Sequence, residues 1–387
     1  MYLQHLELKQ FRNYRHQEIT FKAPKTILVG DNAQGKSNLL EAILLMATLR
    51  SHRVSRDRDL VQHQMPMAEI IAQVSRDHVP LELGLRLRQT SKRTLTINGV
   101  TQTKQTDFLG QINAVLFSCL DLDLVRGSPE TRRSWLDLVL VQLEPVCLGL
   151  LQQYAKILKQ RNALLKSIKG SLTGNSAKSD SSQLSDHPAP DTTQLALWDA
   201  QIVTVGTRIM RRRCRLLQRL TPLAQKWHDA ISGGTEILSI QYQPKFDFTH
   251  DDPPELVQQR FLDTLQQKKY LEYYQGTSLV GPHRDEVILT INQTPAKEYG
   301  SQGQQRTLVL ALKLAELELL ELVLGQPPLL LLDDVLAELD LHRQDQLLGA
   351  IANRVQTVIT TTHLGVFDAQ WLDSANILRV ENGRIID

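Results

Sequence analysis

Cysteine is scarce: Cys119, Cys147 and Cys214 are the only three in 387 residues, and no two share a close spacing. That excludes a disulfide framework and a cysteine-based zinc site, and it suits a reducing compartment. Long apolar runs are missing as well. No stretch reaches the roughly 18 residues of a membrane span, and the N-terminus lacks a signal-peptide pattern. The expectation is a soluble, cytoplasmic protein with no membrane partner, in which the sequon Asn292-Gln293-Thr294 means nothing. A dominant charge is also lacking. Lys and Arg number 44 against 42 Asp and Glu, so any nucleic-acid site must be a local patch and not a global field. The remaining composition is ordinary for a globular chain long enough for two domains, or for one domain with an insertion.

What is present begins with Gly30-Asp31-Asn32-Ala33-Gln34-Gly35-Lys36-Ser37, which spells the P-loop pattern G-x-x-x-x-G-K-S. The apolar run Thr26–Val29 before it reads as a buried strand, and residues 38 to 46 after it favour a helix. Glycines let such a loop wrap backbone N–H groups around a polyphosphate, and the helix N-terminus adds partial positive charge. Lys36 can reach the β- and γ-phosphates of ATP, and the Ser37 hydroxyl can ligate Mg²⁺.

Residues 2 to 30 read as strands, interrupted at the turn Phe11-Arg12-Asn13-Tyr14, where Arg12 is either a nucleotide contact or, more simply, a solvated turn residue. Arg50, His52, Arg53, Arg56 and Arg58 form a loop-like charged run that reads as a solvated face. Leu81, Leu83, Leu85 and Leu87 alternate strictly, and Asn98-Gly99 follows a second strand, so an antiparallel layer accompanies the P-loop core. Residues 132 to 169 are helical in composition. Residues 170 to 193 lack large apolar side chains and read as a disordered insertion. A second helix spans about 195 to 230, allowing for a break at Pro222, and the two helices make a hairpin. On it Arg208, Arg212, Arg215 and Arg219 share one stripe without interleaved acids, either a solubilising face or a phosphate-tracking one.

Residues 329 to 334, Leu-Leu-Leu-Leu-Asp-Asp, form an apolar strand ending in two carboxylates. Such a strand delivers its last residues to the sheet edge where a P-loop works, placing Asp333 on Mg²⁺ and Asp334 beside the attacking water. Ser301-Gln302-Gly303-Gln304 opens a nearly all-apolar helix reaching Leu324, where free N–H groups face an anion or the serine simply caps. A helix of about 20 residues is roughly 30 Å long, whereas the strand returning after it covers only about 17 Å. The Ser301–Gln304 tip should therefore overshoot its own P-loop and serve a second subunit.

This order of parts resembles the ABC-type ATPase heads of SMC-like DNA-repair proteins. Phe11 to Tyr14, Leu122 to Arg133, Gln160-Arg161-Asn162, Gly281 to Asp285 and Ser301 to Arg306 together resemble the RecF family. The resemblance implies an α/β, ABC-type P-loop head, a mixed sheet plus an antiparallel β layer, with an inserted short helical-hairpin arm. Its lobes would be 1–131 and 276–387, and its arm 132–275. It implies Ser301, Gln302, Gly303 and Gln304 as the signature motif, Asp340 in the D-loop and His363 as the switch histidine. It further implies an ATP-driven homodimer that binds double-stranded and gapped DNA, acts with RecO and RecR and helps place RecA on single strands. Asp334 stands where transporter ATPases have glutamate, which implies slow hydrolysis used as a timer. Ala33 replaces a customary glycine at a position read as taking a negative φ, and Cys119-Leu120 replaces a typical proline and acid. A transporter subunit, a nuclease with a similar head and a clamp without turnover are the other readings. The helical insertion and the arginine stripe stand against the first, and the roughly 50 residues after Asp334 leave no room for the second.

Overall fold

The computed structural model describes residues 1–76, 79–174, 192–351 and 354–386. Its centre is a six-stranded sheet in the order 384–386, 375–381, 25–29, 357–361, 329–333, 114–118. All neighbours are parallel except the C-terminal hairpin 375–381/384–386. Alternation explains why residues 329 to 332 can be four leucines in a row. Leu329 and Leu331 enter one core with the helix Lys36–Thr48, while Leu330 and Leu332 enter another with Leu310, Leu314 and Leu317 of the helix Gln302–Leu324. A strand covered on both faces needs no polar side.

A second six-stranded sheet, wholly antiparallel, runs 14–20, 2–11, 67–76, 79–88, 94–97, 100–101. It lays Leu6, Leu8, Ile70, Leu83 and Leu85 on the far side of the first core. Its outer hairpin turns at Asn98 and Gly99, with φ 49° and 76°, the left-handed pair that a two-residue turn requires. A small third sheet pairs Leu238–Gln243 with Glu286–Ile291, so the chain on either side of residue 275 is joined by a ladder.

The expected helix over 132 to 169 is two helices, Pro129–Leu143 and Val146–Gly174. Pro145, which has no N–H to donate, sits at the break. The helix Thr192–Ser232, by contrast, runs 41 residues straight through Pro222. Buried Leu216, Leu217, Leu220 and Ala224 hold that turn in place despite the lost hydrogen bond. Most of the insertion expected at 170 to 193 lies outside the described residues. The lower half of the long helix packs along Gln302–Leu324, while its upper half pairs with Val146–Gly174 and the helix Pro254–Gln275. Among the described residues no helix is long and apolar enough to cross a membrane.

Several of the motif residues turn out to be braces between these parts. Arg161 is 1% exposed and bonds Asp199, Glu272 and Ser278, and Asn162 Oδ1 accepts from the Ser278 N–H. Arg132 forks onto Glu286, and Arg133 donates to the Asp285 carbonyl. Asp285 is fully buried; burial pushes its carboxyl up to about 6 even though Tyr242 donates to it at 2.5 Å. Such a set of paired charges in a dry junction fixes how the segments that carry them pack together.

Candidate nucleotide site

The parallel strands end together. Register pairs Asp333 with Ser118 on one side and with Thr360 on the other, and Thr361 with Val29, so the acidic strand and the P-loop strand finish at one edge. From Val29 the chain enters the loop and emerges as the helix Lys36–Thr48. Two glycines in it are demanded by space. A Cβ on Gly30 would stand 2.3 Å from the Val380 carbonyl oxygen, and one on Gly35, at φ 118°, 2.6 Å from Asn13 Nδ2. Lys36 is 4% exposed and donates from Nζ to the carbonyls of Gly30 and Asp31, at 2.6 and 2.8 Å, so its ammonium lies over the loop.

The loop is also gripped from outside. The Gln34 carbonyl accepts from Asn13 Nδ2 at 3.0 Å and from the Gly383 N–H at 2.8 Å, while Gln34 Oε1 accepts from the Asn382 N–H. Asn13 Oδ1 accepts from Asn38, and the Tyr14 hydroxyl donates to the Gly35 carbonyl. Ala33 lies at φ 64°, which overturns the negative φ read for it. The curl of the loop needs a left-handed residue there, and alanine carries the steric cost that glycine would avoid. Asp31, Asn32 and Ala33 stand exposed on the rim.

Arg12 is no solvated turn residue. Its guanidinium forks onto Glu41 at 2.8 and 2.8 Å and donates to the Asp59 carbonyl. Glu41 is fully buried. Burial pushes its carboxyl up, but bonds from Arg12 and Ser51 outweigh that and hold it below the usual range. The pair braces the helix that begins at Lys36.

Ser37 and Asp333 meet directly. Ser37 Oγ donates to Asp333 Oδ1 at 2.7 Å, and Thr360 Oγ1 donates to the same oxygen at 2.9 Å. Thr360 Oγ1 also accepts from the Asp334 N–H, which holds Asp334 at φ 54°. Burial raises the Asp334 carboxyl, the nearby Lys36 opposes that rise and Asp333 adds to it. A hydroxyl and a carboxylate oxygen in contact are the hard donors that Mg²⁺ takes, so the residues present fit that ion. Past the neighbouring strand, His363 is exposed, with its backbone held by Thr361 Oγ1.

Ser301 caps the helix Gln302–Leu324, accepting from the Gln304 N–H while Gln304 Oε1 accepts from the Ser301 N–H. The tip's other bonds run to Glu236, from Gln304, and to Arg343, which donates to the Gly303 carbonyl and to Thr307. Arg343 in turn pairs with Asp340, tying the segment after the strand Leu329–Asp333 to the tip. Ser301 and Gln302 face solvent.

The arginine stripe is not free of acids. Arg208, Arg215 and Arg219 are exposed, but Arg212 pairs with Glu144 at 3.0 Å, and neighbouring Arg213 is buried on Asp137. The acids come from the helix Pro129–Leu143 and the residue that follows it, which the periodicity of a single segment cannot reveal. Asn13, Thr360, Arg343 and the 382–383 turn escaped the sequence reading for the same reason: each acts across the fold.

With this geometry in view, the likeness to known proteins is specific. The profile of the RecF/RecN/SMC N terminal domain matches residues 2–384. A DNA replication and repair protein RecF from Gloeothece citriformis is 58% identical, covering 100% of each chain, and one from a Cyanothece species is 60% identical over 100% of this chain and 98% of its own. A solved recombination mediator protein RecF–ATP of the RecFOR pathway superposes with TM-score 0.87 at 30% identity, covering 100% of this chain and 97% of that one. An Smc head from Pyrococcus furiosus, at 16% identity and TM-score 0.52 over 100% of this chain and 96% of that one, shares the fold. These matches run along the whole chain, and this protein belongs to the RecF/RecN/SMC family and, within it, to the RecF proteins.

Proposed function

We propose that the chain is an ATP-dependent DNA-binding switch of recombinational repair, working in the cytoplasm. One observation carries the reading: Ser37, Asp333 and Thr360 meet at the sheet edge on which the Gly30–Ser37 cradle opens. The cradle holds the triphosphate on its N–H groups and on Lys36, with Arg12 bracing the helix behind through Glu41. Ser37 and Asp333 would hold Mg²⁺, which neutralises charge between the β- and γ-phosphates. Asp334 orients the attacking water and accepts its proton, and His363 contacts the γ-phosphate end. Ser301, Gln302, Gly303 and Gln304 of a second copy complete each site, with Asp340 beside them.

The length of the signature helix supports that division of labour. Its 23 residues span about 34 Å, against about 16 Å for the five-residue strand that returns beside it. ATP would thus close a homodimer on double-stranded or gapped DNA, and hydrolysis would release it. The solved relative's description as a recombination mediator of the RecFOR pathway supports RecO and RecR as co-workers, and placing RecA on single strands is the outcome we propose. Sedimentation with a slowly hydrolysed ATP analogue and Mg²⁺ tests the core of this reading. A dimer is expected; a monomer at saturating nucleotide would refute it.

A further inference from the structure

With Arg212 and Arg213 engaged by acids, a second positive stripe on the arm lies on another helix. The helix Val146–Gly174 contains no aspartate or glutamate, and Lys156, Lys159, Lys166 and Lys169 on it are all exposed. At about 100° per residue the four fall within about 140° of arc and extend along about 20 Å of one side. Among the described residues Lys156, Lys159 and Lys166 make no ion pair. Gln160, Ala163 and Ser167 between them are neutral.

An aromatic pair sits beside the outer end of this stripe. The helix Pro254–Gln275 stops at Gly276, where a Cβ would lie 3.0 Å from Lys169 Cδ and 3.6 Å from Lys166 Cα. Its last turns are therefore seated against the Lys166–Lys169 turn. There Tyr270 is 83% exposed and Tyr274 75% exposed, four residues apart and hence on one face. Their neighbour Tyr273 is 9% exposed and packs in the core, with the Tyr270 ring edge-on to it at 6.4 Å, so the outer faces of Tyr270 and Tyr274 are left to solvent.

We infer that this face of the arm takes single-stranded nucleic acid, lysines against the phosphates and the two tyrosines stacked on unpaired bases. Phosphates answer the acid-free lysine stripe, and exposed rings have nothing to stack on in a duplex, whose bases already stack on one another. The inference rests on the DNA-binding reading above and names the part of a gapped substrate that the arm engages.

The test is anisotropy with the full chain, ATP and Mg²⁺ on a labelled single strand, a blunt duplex and a gapped duplex. The double substitution Tyr270→Ala with Tyr274→Ala should weaken single-strand binding by about tenfold or more while blunt-duplex affinity stays within about twofold. The matching phenylalanine pair should retain binding. Lys156→Glu, Lys159→Glu and Lys166→Glu together, on another helix and so independent of any folding loss at the tyrosines, should lower the single-strand salt slope by about 2. If the unaltered chain binds none of the three DNAs, the DNA-binding reading falls and this inference with it. If it binds them and both sets of variants keep full single-strand affinity and slope, the inference alone is overturned. Equal losses on the blunt duplex would overturn the assignment to unpaired bases.

Discussion

The nucleotide cradle and the signature tip are built on opposite plans. The cradle is held by chain from four distant places: Asn13 and Tyr14 from the first hairpin, Asn382 and Gly383 from the last, Asp333 from the acidic strand and Thr360 beside it. Lys36, at its centre, is buried. The tip is held by its own capping box and by two side chains, Glu236 and Arg343, with Ser301 and Gln302 facing solvent. A loop that must present several N–H groups to one phosphate cannot reorganise on binding without losing affinity, so it is braced in advance. A tip proposed to complete another molecule's site needs only to be stiff and outward-facing. The difference teaches that half of each proposed ATP site is finished inside one chain and half is displayed.

Changes on the cradle side should give the largest effects. Asp334→Asn should cut steady-state phosphate release by about 100-fold or more, the usual share of a general base, while leaving ATP binding intact and prolonging the dimer; rapid turnover in this variant would take the water-activating role away from Asp334. The same group carries the pH dependence. Burial raises the Asp334 carboxyl, so the acid limb of the hydrolysis profile should lie above the ordinary carboxylate range, with the rate rising as pH rises through it. Because the folded-state value is raised, the group's contribution to stability is present at low pH and lost as pH climbs through that same window. The acid limb should vanish from the residual rate of the asparagine variant.

Lys36→Met should weaken ATP binding by roughly 10- to 100-fold, the range expected for a lost charge-assisted contact, and dimerisation should fall with it. Titration of a fluorescent ATP analogue measures the first, and sedimentation the second. Arg343→Ala probes the displayed half. ATP affinity of the single chain should hold within about twofold while hydrolysis drops by about tenfold, the equivalent of one lost charged hydrogen bond; equal loss of both would mean that cradle and tip are not separate devices. Ala33→Gly should be the smallest change, relieving a left-handed alanine and gaining about 1 kcal/mol or less in thermal unfolding once glycine's own entropy is counted.

Legibility followed the same divide. The loop between strand and helix could be read because its pattern is written in consecutive residues, and the strand Leu329–Asp333 because four leucines in a row suit burial on both faces. The antiparallel layer was visible in the alternation of Leu81 to Leu87. Composition hides the break at Pro145, because helical residues continue on both sides of it, and it cannot show that buried leucines carry the helix through Pro222. The partner of Arg212 on the arginine stripe lay out of reach for a related reason. A helix's periodicity says which residues share a face, but not that Glu144 and Asp137 lie opposite it.

By itself the sequence determined the local chemistry: a glycine loop before a helix, carboxylates at the end of an apolar strand, and an S-x-G-Q turn that caps a helix. These depend on neighbours within a few residues, where backbone geometry leaves little choice. Tertiary structure alone decided that Ser37 touches Asp333 across 296 positions, that Arg12 is bound to Glu41, that Ala33 must bend left-handed and that Gly276 is seated against the Lys166–Lys169 turn of another helix. Such pairings are set by how sheets and helices stack, and stacking answers to buried area and shape summed over the whole chain.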